Sequence, residues 1–414
     1  MPPGARPAGR PRREHKDVAR LRARWVLPVD RPPIEHGWLE TAGDRISDVG
    51  HGRPPAGAED LGDVALLPGL VNAHTHLELS WLAGRIASAG SMAEWIRDLI
   101  RQRVSGAAGS EGERAAVMHS AAAAMAATGT VLVGDISNTL GSTPAMIAAG
   151  LGGVIFHELL GFNVADPVAM VREAWERVHR VVETPSVVFS VVAHAPYSTA
   201  PALFTEIARR PGDAPLSVHL GESPEEVEFL RTGRGPFRDL LEDLGAWQSA
   251  WQPPACDPVE YLQRLGYLRR GLLAVHAVHL TDDGLARLRR AGAIVVTCPR
   301  SNSHVGAGLP RVSSFYASGV PVAIGTDSLA SAPTLNLFDE LAELRRVAPD
   351  VAPGALLDSA TRQGARALGQ EASFGTLARG KRAALVAVAI PAGVRDVEEY
   401  LVSGVPASSV RRLS

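Results

Sequence analysis

Eight short apolar runs, each separated from the next by a longer stretch suited to a helix, constrain this chain more than any other feature. They are ALLPGLVNA (65–73), TVLVGD (130–135), GGVIFHE (152–158), SVVFSVVA (186–193), LSVH (216–219), LLAVH (272–276), AIVVTC (293–298) and VPVAIGTD (320–327). Between them lie segments such as GERAAVMHSAAAAMAATG, DPVAMVREAWERVHRVVE and TDDGLARLRRAG, whose Ala, Leu, Glu and Arg content and closing Gly suit helices. Strand-helix alternation repeated eight times predicts an α/β fold, a (β/α)8 barrel.

In such barrels chemistry sits where the strands stop. The first run leads into VNAHTHLELS, where His74 and His76, two residues apart in an extended segment, share one face. Two imidazoles on one face suit a metal, but two ligands do not make a site. The other strand ends supply Asp135, Glu158, His194, His219, His276, Cys298 with Arg300, and Asp327. A solvated strand end would also be polar, so Asp135 and Glu158 taken singly read as capping or supporting groups. Histidine is harder to dismiss: of 13 in the chain, His74, His76, His194, His219 and His276 all fall at strand ends. The layout therefore predicts a metal site.

Composition closes off other readings. With 414 residues, 46% of them hydrophobic, the chain can bury a substantial core. Lys plus Arg (42) nearly balances Asp plus Glu (44), which gives no electrostatic reason to expect nucleic acid or a membrane as partner. No apolar stretch reaches membrane-spanning length. Cys256 and Cys298 are the only cysteines, too few for a disulfide framework or a Cys-based zinc site, and a reducing, cytoplasmic setting fits. Lys16 and Lys381 are the only lysines, which removes the P-loop lysine. The Pro, Gly and Arg-rich opening is expected to be a disordered tail (1–17). Residues 18–64 and 372–414 carry short β-like pieces that cannot bury a core alone, so they are expected to pair into a small β-sandwich domain flanking a barrel over 65–371.

The ordered motifs NAHTHLELS, HAPYS, VHLGE, VHAVHL, CPRSN and GTDSLAS resemble the amidohydrolase superfamily, in particular its aminohydrolase branch, which deaminates purines, pterins and related heterocycles. The match spans about residues 60 to 385. The resemblance implies a barrel with a flanking β-sandwich and one divalent metal ion held by His74, His76, His219 and Asp327. It also implies that Glu222 shuttles a proton, that His276 orients the attacking water, and that Asp327 accepts that water's proton. Two-metal relatives bridge their ions with a lysine or an acid on strand three or four. The barrel has no such lysine and strand four ends in His194, so a mononuclear site is expected. Zinc is the default, with iron or manganese also compatible. His279 reads as a supporting histidine, and His304 as either a substrate contact or a solvated loop residue.

Within that branch, HTHLELS, GDISN, HELLGF, HAPYS and CPRSN most resemble the aminodeoxyfutalosine deaminases, which act on an adenine nucleoside bearing a carboxyphenyl ketone. On that resemblance the partner is a small heterocyclic or nucleoside substrate, and a homodimer stays open. His194 joins the substrate contacts. Arg300 reads either as the fork that pairs a substrate carboxylate or as a structural strand-end arginine. Trp81, Trp95, Phe162 and Tyr197 read as stacking or packing residues, and Glu94 as a ribose contact. Deamination of S-adenosylhomocysteine or 5′-methylthioadenosine is the runner-up, hydrolysis of a cyclic amide a second alternative, and a non-enzymatic scaffold a remote third.

Overall fold

The computed structural model describes residues 18–105, 109–181, 184–210 and 214–413, so the tail expected over 1–17 lies outside the described residues. Five strands open the chain: β1 (Arg20–Val26), β2 (Ile34–Ala42), β3 (Arg45–Gly50), β4 (Glu59–Asp60) and β5 (Val64–Pro68). Eight more form the barrel: β6 (Leu70–Thr75), β7 (Thr130–Ser137), β8 (Gly152–Leu159), β9 (Val187–Ala193), β10 (Leu216–Leu220), β11 (Leu272–His276), β12 (Ile294–Thr297) and β13 (Val322–Ile324). Then β14 (Leu385–Ala389) and β15 (Val410–Leu413) return to the opening strands. They complete a seven-stranded sheet in the order β15-β14-β5-β1-β2-β3, with β4 beside β1, so the flanking unit draws on both ends of the chain.

Seven of the eight apolar runs coincide with single barrel strands, and the run 65–73 is the exception. Expected as the first barrel strand, it is two strands, β5 in the flanking sheet and β6 in the barrel. Pro68, the last residue of β5, has no N–H to carry the ladder further. At Gly69 the backbone passes Val131 so closely that a Cβ would lie 2.3 Å from one of its methyl groups. Both halves of the run are buried, and hydropathy reports burial, not continuity.

The barrel consists of two parallel four-stranded arcs, β6-β7-β8-β9 and β10-β11-β12-β13. They join at two seams. At one, the His219 N–H donates to the His194 carbonyl at 2.9 Å. At the other, the N–H groups of Thr326 and Asp327 donate to the His74 carbonyl at 3.0 and 3.1 Å, and Thr75 pairs with Asp327. Val133, Ile155, Val191, Val218, Ala274, Val295 and Ala323 are buried in the core these strands build; full burial of one such Val or Ile side chain contributes roughly 1.5–3 kcal/mol.

Local sequence explains where the helices start and stop. Ser110 and Glu113 form a capping box at the head of Glu111–Ala127. Thr281 caps Asp282–Ala291, which stops at Gly292 with φ 71°, a left-handed conformation that Gly adopts without steric cost. Among the described residues no helix is long and apolar enough to cross a membrane.

Candidate active site

Both seams of the barrel end in histidine, and the side chains that emerge there converge. His74 Nε2 and His76 Nε2 lie 3.2 Å apart. Asp327 Oδ1 is 3.4 Å from His76 Nε2 and 3.9 Å from His74 Nε2. A tetrahedral ion with bonds of about 2.0–2.1 Å would set its ligand atoms roughly 3.3 Å from one another. His219 joins this pair: ligand atoms of His74, His76 and His219 all lie within 4.8 Å of one another.

The backbone is bent to aim these groups. His276 (φ 72°), Ala277 (φ 56°) and Asp327 (φ 54°) occupy the left-handed region, which L-residues with a Cβ adopt at a cost of about 1–3 kcal/mol each. Strain of that kind persists where surrounding contacts fix it. Asp327 Oδ2 accepts hydrogen bonds from the hydroxyls of Ser301 and Ser331, which leaves Oδ1 for the histidines. The Asn302 amide meets His276 Nδ1 at 2.9 Å, so Nε2 of that ring faces inward, 3.0 Å from His219 Nδ1 and 3.4 Å from Glu222 Oε1.

Glu222 and Glu158 flank His219, at 3.5 Å from Nδ1 and 3.5 Å from Nε2 respectively. Glu158 is steadied by the Asn138 side-chain amide at 3.2 Å. The loop that carries Asn138 is wrapped around Glu78, whose carboxylate accepts the N–H groups of Asn138 at 3.0 Å and Gly141 at 3.1 Å. His194 stacks obliquely beside His219 with ring centroids 4.8 Å apart and bonds the Ser198 hydroxyl.

Burial drives His74 well below the usual imidazole range, and the neighbouring histidines add to the effect. Burial also lowers His76 and His276, and takes His194 down to about 4. Neutral imidazole is the form that binds a metal. For His219 burial acts in the same direction, but the carboxylates of Glu158 and Glu222 outweigh it and raise its proton affinity. Asp327 stays ionised: burial opposes this, but His76, His276 and the Ser301 hydroxyl hold its pKa low. Among the described residues, His74 Nδ1, His219 Nε2 and Glu222 Oε2 are buried without a hydrogen-bond partner. Unsatisfied buried polar atoms around a His3Asp cluster suit a divalent cation.

Other expected site residues stand apart from this cluster. Arg300 Nη1 lies 3.5 Å from Glu340 Oε1 and 3.6 Å from Asp339 Oδ2, and it donates to the Thr334 hydroxyl at 3.2 Å. Its guanidinium is thus engaged in packing the helix Pro299–His304 against the helix Leu337–Val347, the structural alternative of the two sequence readings. His279 Nε2 bonds the Ala307 carbonyl at 2.7 Å and His304 Nε2 the Ile86 carbonyl at 3.2 Å, so both fasten loops. Trp95, Phe162 and Tyr197 are buried in an aromatic cluster. Trp81 is half-buried with the Arg85 guanidinium over its ring, and Glu94 is exposed in the first turn of the helix Met92–Val104. A cavity of about 1280 Å³ lies at the start of β7 and β8, lined by Leu132, Gly152, Phe374 and Arg382, and includes none of the clustered residues.

Sequence reasoning passed over Ser301, Asn302, Ser331 and Glu226. The first two sit inside CPRSN and were open to notice. The partners of Ser301 and Asn302 lie 26 residues away in the chain, a pairing that no local pattern encodes.

A parallel eight-stranded barrel with a buried His3Asp cluster at the C-terminal ends of its strands defines a metal-dependent hydrolase. The chain belongs to the amidohydrolase family, whose model matches residues 65–407. It is 33% identical over 360 residues to the aminodeoxyfutalosine deaminase of Deinococcus radiodurans, covering 82% of each chain. It is 31% identical over 389 residues to the 5-methylthioadenosine/S-adenosylhomocysteine deaminase of Moorella thermoacetica, covering 88% of this chain and 83% of that one. Among solved structures it is similar to an adenosine deaminase from Xanthomonas campestris with bound zinc, at a TM-score of 0.78 and 26% identity over 95% of this chain and 90% of that one.

Proposed function

We propose that this protein hydrolytically deaminates an adenine nucleoside, with aminodeoxyfutalosine the favoured substrate and S-adenosylhomocysteine or 5′-methylthioadenosine the runner-up. The observation that carries the reading is the Glu222 carboxylate, buried and within 3.5 Å of both His219 and His276 at the edge of the His3Asp cluster. Deamination of an aromatic ring needs a proton on the ring nitrogen beside the amino-bearing carbon, and Glu222 stands where it can deliver one. Hydrolysis of a cyclic amide has no such nitrogen. The relatives named as deaminases support the same choice.

In this reading His74, His76, His219 and Asp327 hold one divalent ion, zinc on its mixed nitrogen and oxygen donors, as supported by the zinc-bound relative. When bound, such an ion acidifies water enough for attack near neutral pH. His276 orients the water through Nε2. Asp327 takes one of its protons and passes it to the departing amine, while Glu222 gives a proton to the ring nitrogen and regains one from the newly added hydroxyl, so ammonia leaves as the ring carbonyl forms and both acids are restored. His194, Glu94 and Trp81 contact the nucleoside. Cys256 and Cys298 are both buried and unpaired, which supports a reducing cytoplasmic setting.

Ammonia release and the adenine-to-hypoxanthine absorbance change, followed with the zinc-loaded protein, test the proposal. The panel is aminodeoxyfutalosine, S-adenosylhomocysteine, 5′-methylthioadenosine, adenosine, guanine and cytosine. A kcat/KM for aminodeoxyfutalosine at least tenfold above the others is the expected result. Preference for either thioether nucleoside would install the runner-up, and silence across the panel with metal bound would move the substrate to cyclic amides.

A further inference from the structure

The turn that carries Glu222 is held by a second, wholly buried acid. In the sequence HLGESPEE, Ser223 caps the helix Pro224–Thr232 by accepting the N–H of Glu226 at 3.3 Å. Ser-x-x-Glu at a helix start ordinarily forms a capping box, in which the Glu carboxylate reaches back to the N–H of the capping Ser. Here it reaches further. Glu226 Oε1 accepts the N–H of Gly221 at 2.9 Å and Oε2 accepts the N–H of Glu222 at 3.0 Å.

Two successive backbone N–H groups converge on one carboxylate because Gly221 is left-handed, with φ 58°. Any Cβ there would lie 2.4 Å from a methyl of Leu280, so the turn also depends on glycine for space. From the other side the His279 N–H donates to the Gly221 carbonyl at 2.8 Å. Glu226 has no solvent exposure, and no basic side chain is paired with it by hydrogen bond or ion pair among the described residues. Both of its oxygens are spent on the two amides that lead into Glu222. A solvent-facing helix start would be satisfied by Ser223 alone, so a fully desolvated carboxylate at this place calls for another use.

We infer that Glu226 is a positioning residue that fixes the backbone of Glu222, so that the Glu222 carboxyl meets the substrate ring at the correct place. The inference rests on the proton-carrying role proposed for Glu222. Glu226 touches neither substrate nor metal; it acts through the Gly221 and Glu222 amides. Exchanging it for glutamine keeps its length but turns an NH2 group toward one of those N–H donors, which forces the turn to shift.

The test compares E226Q, S223A and E222Q with the parent, metal-loaded, on the best substrate of the panel. The expected result for E226Q is a fall in kcat of tenfold or more with KM within threefold and metal content unchanged, because a misplaced proton carrier weakens the transition state more than the ground state. S223A removes the helix cap without touching the Gly221 or Glu222 amide, and its kcat is expected to stay within twofold. If E226Q does not fold, E226D, one methylene shorter, is judged by the same criteria. A kcat within twofold of the parent for E226Q, an equal loss in S223A, or a loss that tracks bound metal would overturn the inference. E222Q separates the two claims: full activity there removes the role of Glu222 itself, whereas a crippled E222Q beside an unaffected E226Q removes only the role of Glu226.

Discussion

Asp135 and Glu158 carry the same functional group at the ends of neighbouring strands, yet their surroundings push them in opposite directions. Burial raises Asp135 to about 8, relieved only in part by the Leu77 N–H that it accepts at 2.9 Å. Burial acts the same way on Glu158, but His194 and His219 outweigh it and hold the group well below the usual carboxylate range. The stability consequences therefore differ in sign. Asp135 binds its proton more tightly folded than unfolded, where its pKa is about 3.9. Its burial costs nothing well below pH 4 and progressively more as the pH rises from about 4 to 8. Asp135→Asn mimics the protonated form and keeps an oxygen for the Leu77 N–H. The melting temperature of this variant relative to the parent is expected to climb between pH 5 and pH 8 and level off beyond. Parallel thermal melts at pH 5, 6.5, 8 and 9 check it, and a difference that stays flat over that range would show that Asp135 does not change its proton affinity on folding. Both acids were legible in the sequence as polar strand ends with supporting roles. What each supports was not, because Leu77 and His219 reach them across 58 and 61 residues of chain.

At the scale of elements, the six-residue helix Pro299–His304 does more than its length suggests. Its Ser301 holds Asp327, its Asn302 holds His276, and Arg300 anchors it to the helix Leu337–Val347. Glu340, the anchor point, is wholly buried, and burial raises it to about 8 although Arg300 pulls the other way. Arg300 meets this carboxyl twice, through its backbone N–H at 3.4 Å and its guanidinium at 3.5 Å. Removing the guanidinium in Arg300→Met is expected to cost about 1–3 kcal/mol of stability, the range for stranding a buried polar partner. It should leave KM for a carboxylate-bearing nucleoside unchanged relative to a neutral one. Chemical denaturation together with KM on both kinds of substrate checks this, and a KM rise confined to the carboxylate-bearing one would return Arg300 to the substrate. CPRSN was visible as a motif at a strand end, and Arg300 was read there with both alternatives open. Periodicity could not choose between them, since the deciding partners lie 34 to 40 residues later.

At the scale of the whole molecule, the alternation of apolar runs revealed the barrel because each strand must be buried and each helix must cover it. It could not reveal the break at Gly69 or how the ring closes, which depend on backbone hydrogen bonds rather than on hydropathy. The closure bears directly on function. The two arcs meet where His194 pairs with His219 and where His74 pairs with Thr326 and Asp327, so three of the four proposed ligands, His74, His219 and Asp327, are themselves seam residues. An ion held by His74, His76, His219 and Asp327 would span the join of β6 with β13 directly and tie it to β10, which forms one side of the other join. An ion at a hundredfold its dissociation constant adds about 2.7 kcal/mol to folding. Its removal by a chelator is expected to abolish activity and lower the melting temperature by about 3 °C. A structural crosslink makes a sharper demand than mass action alone. Hydrogen exchange at the amides of His219, Thr326 and Asp327 should accelerate on chelation more than at Val133 or Ile155 in the middle of an arc, and zinc should restore it. Uniform acceleration across all strands would mean that the ion stabilises the fold as a whole without bracing the seams.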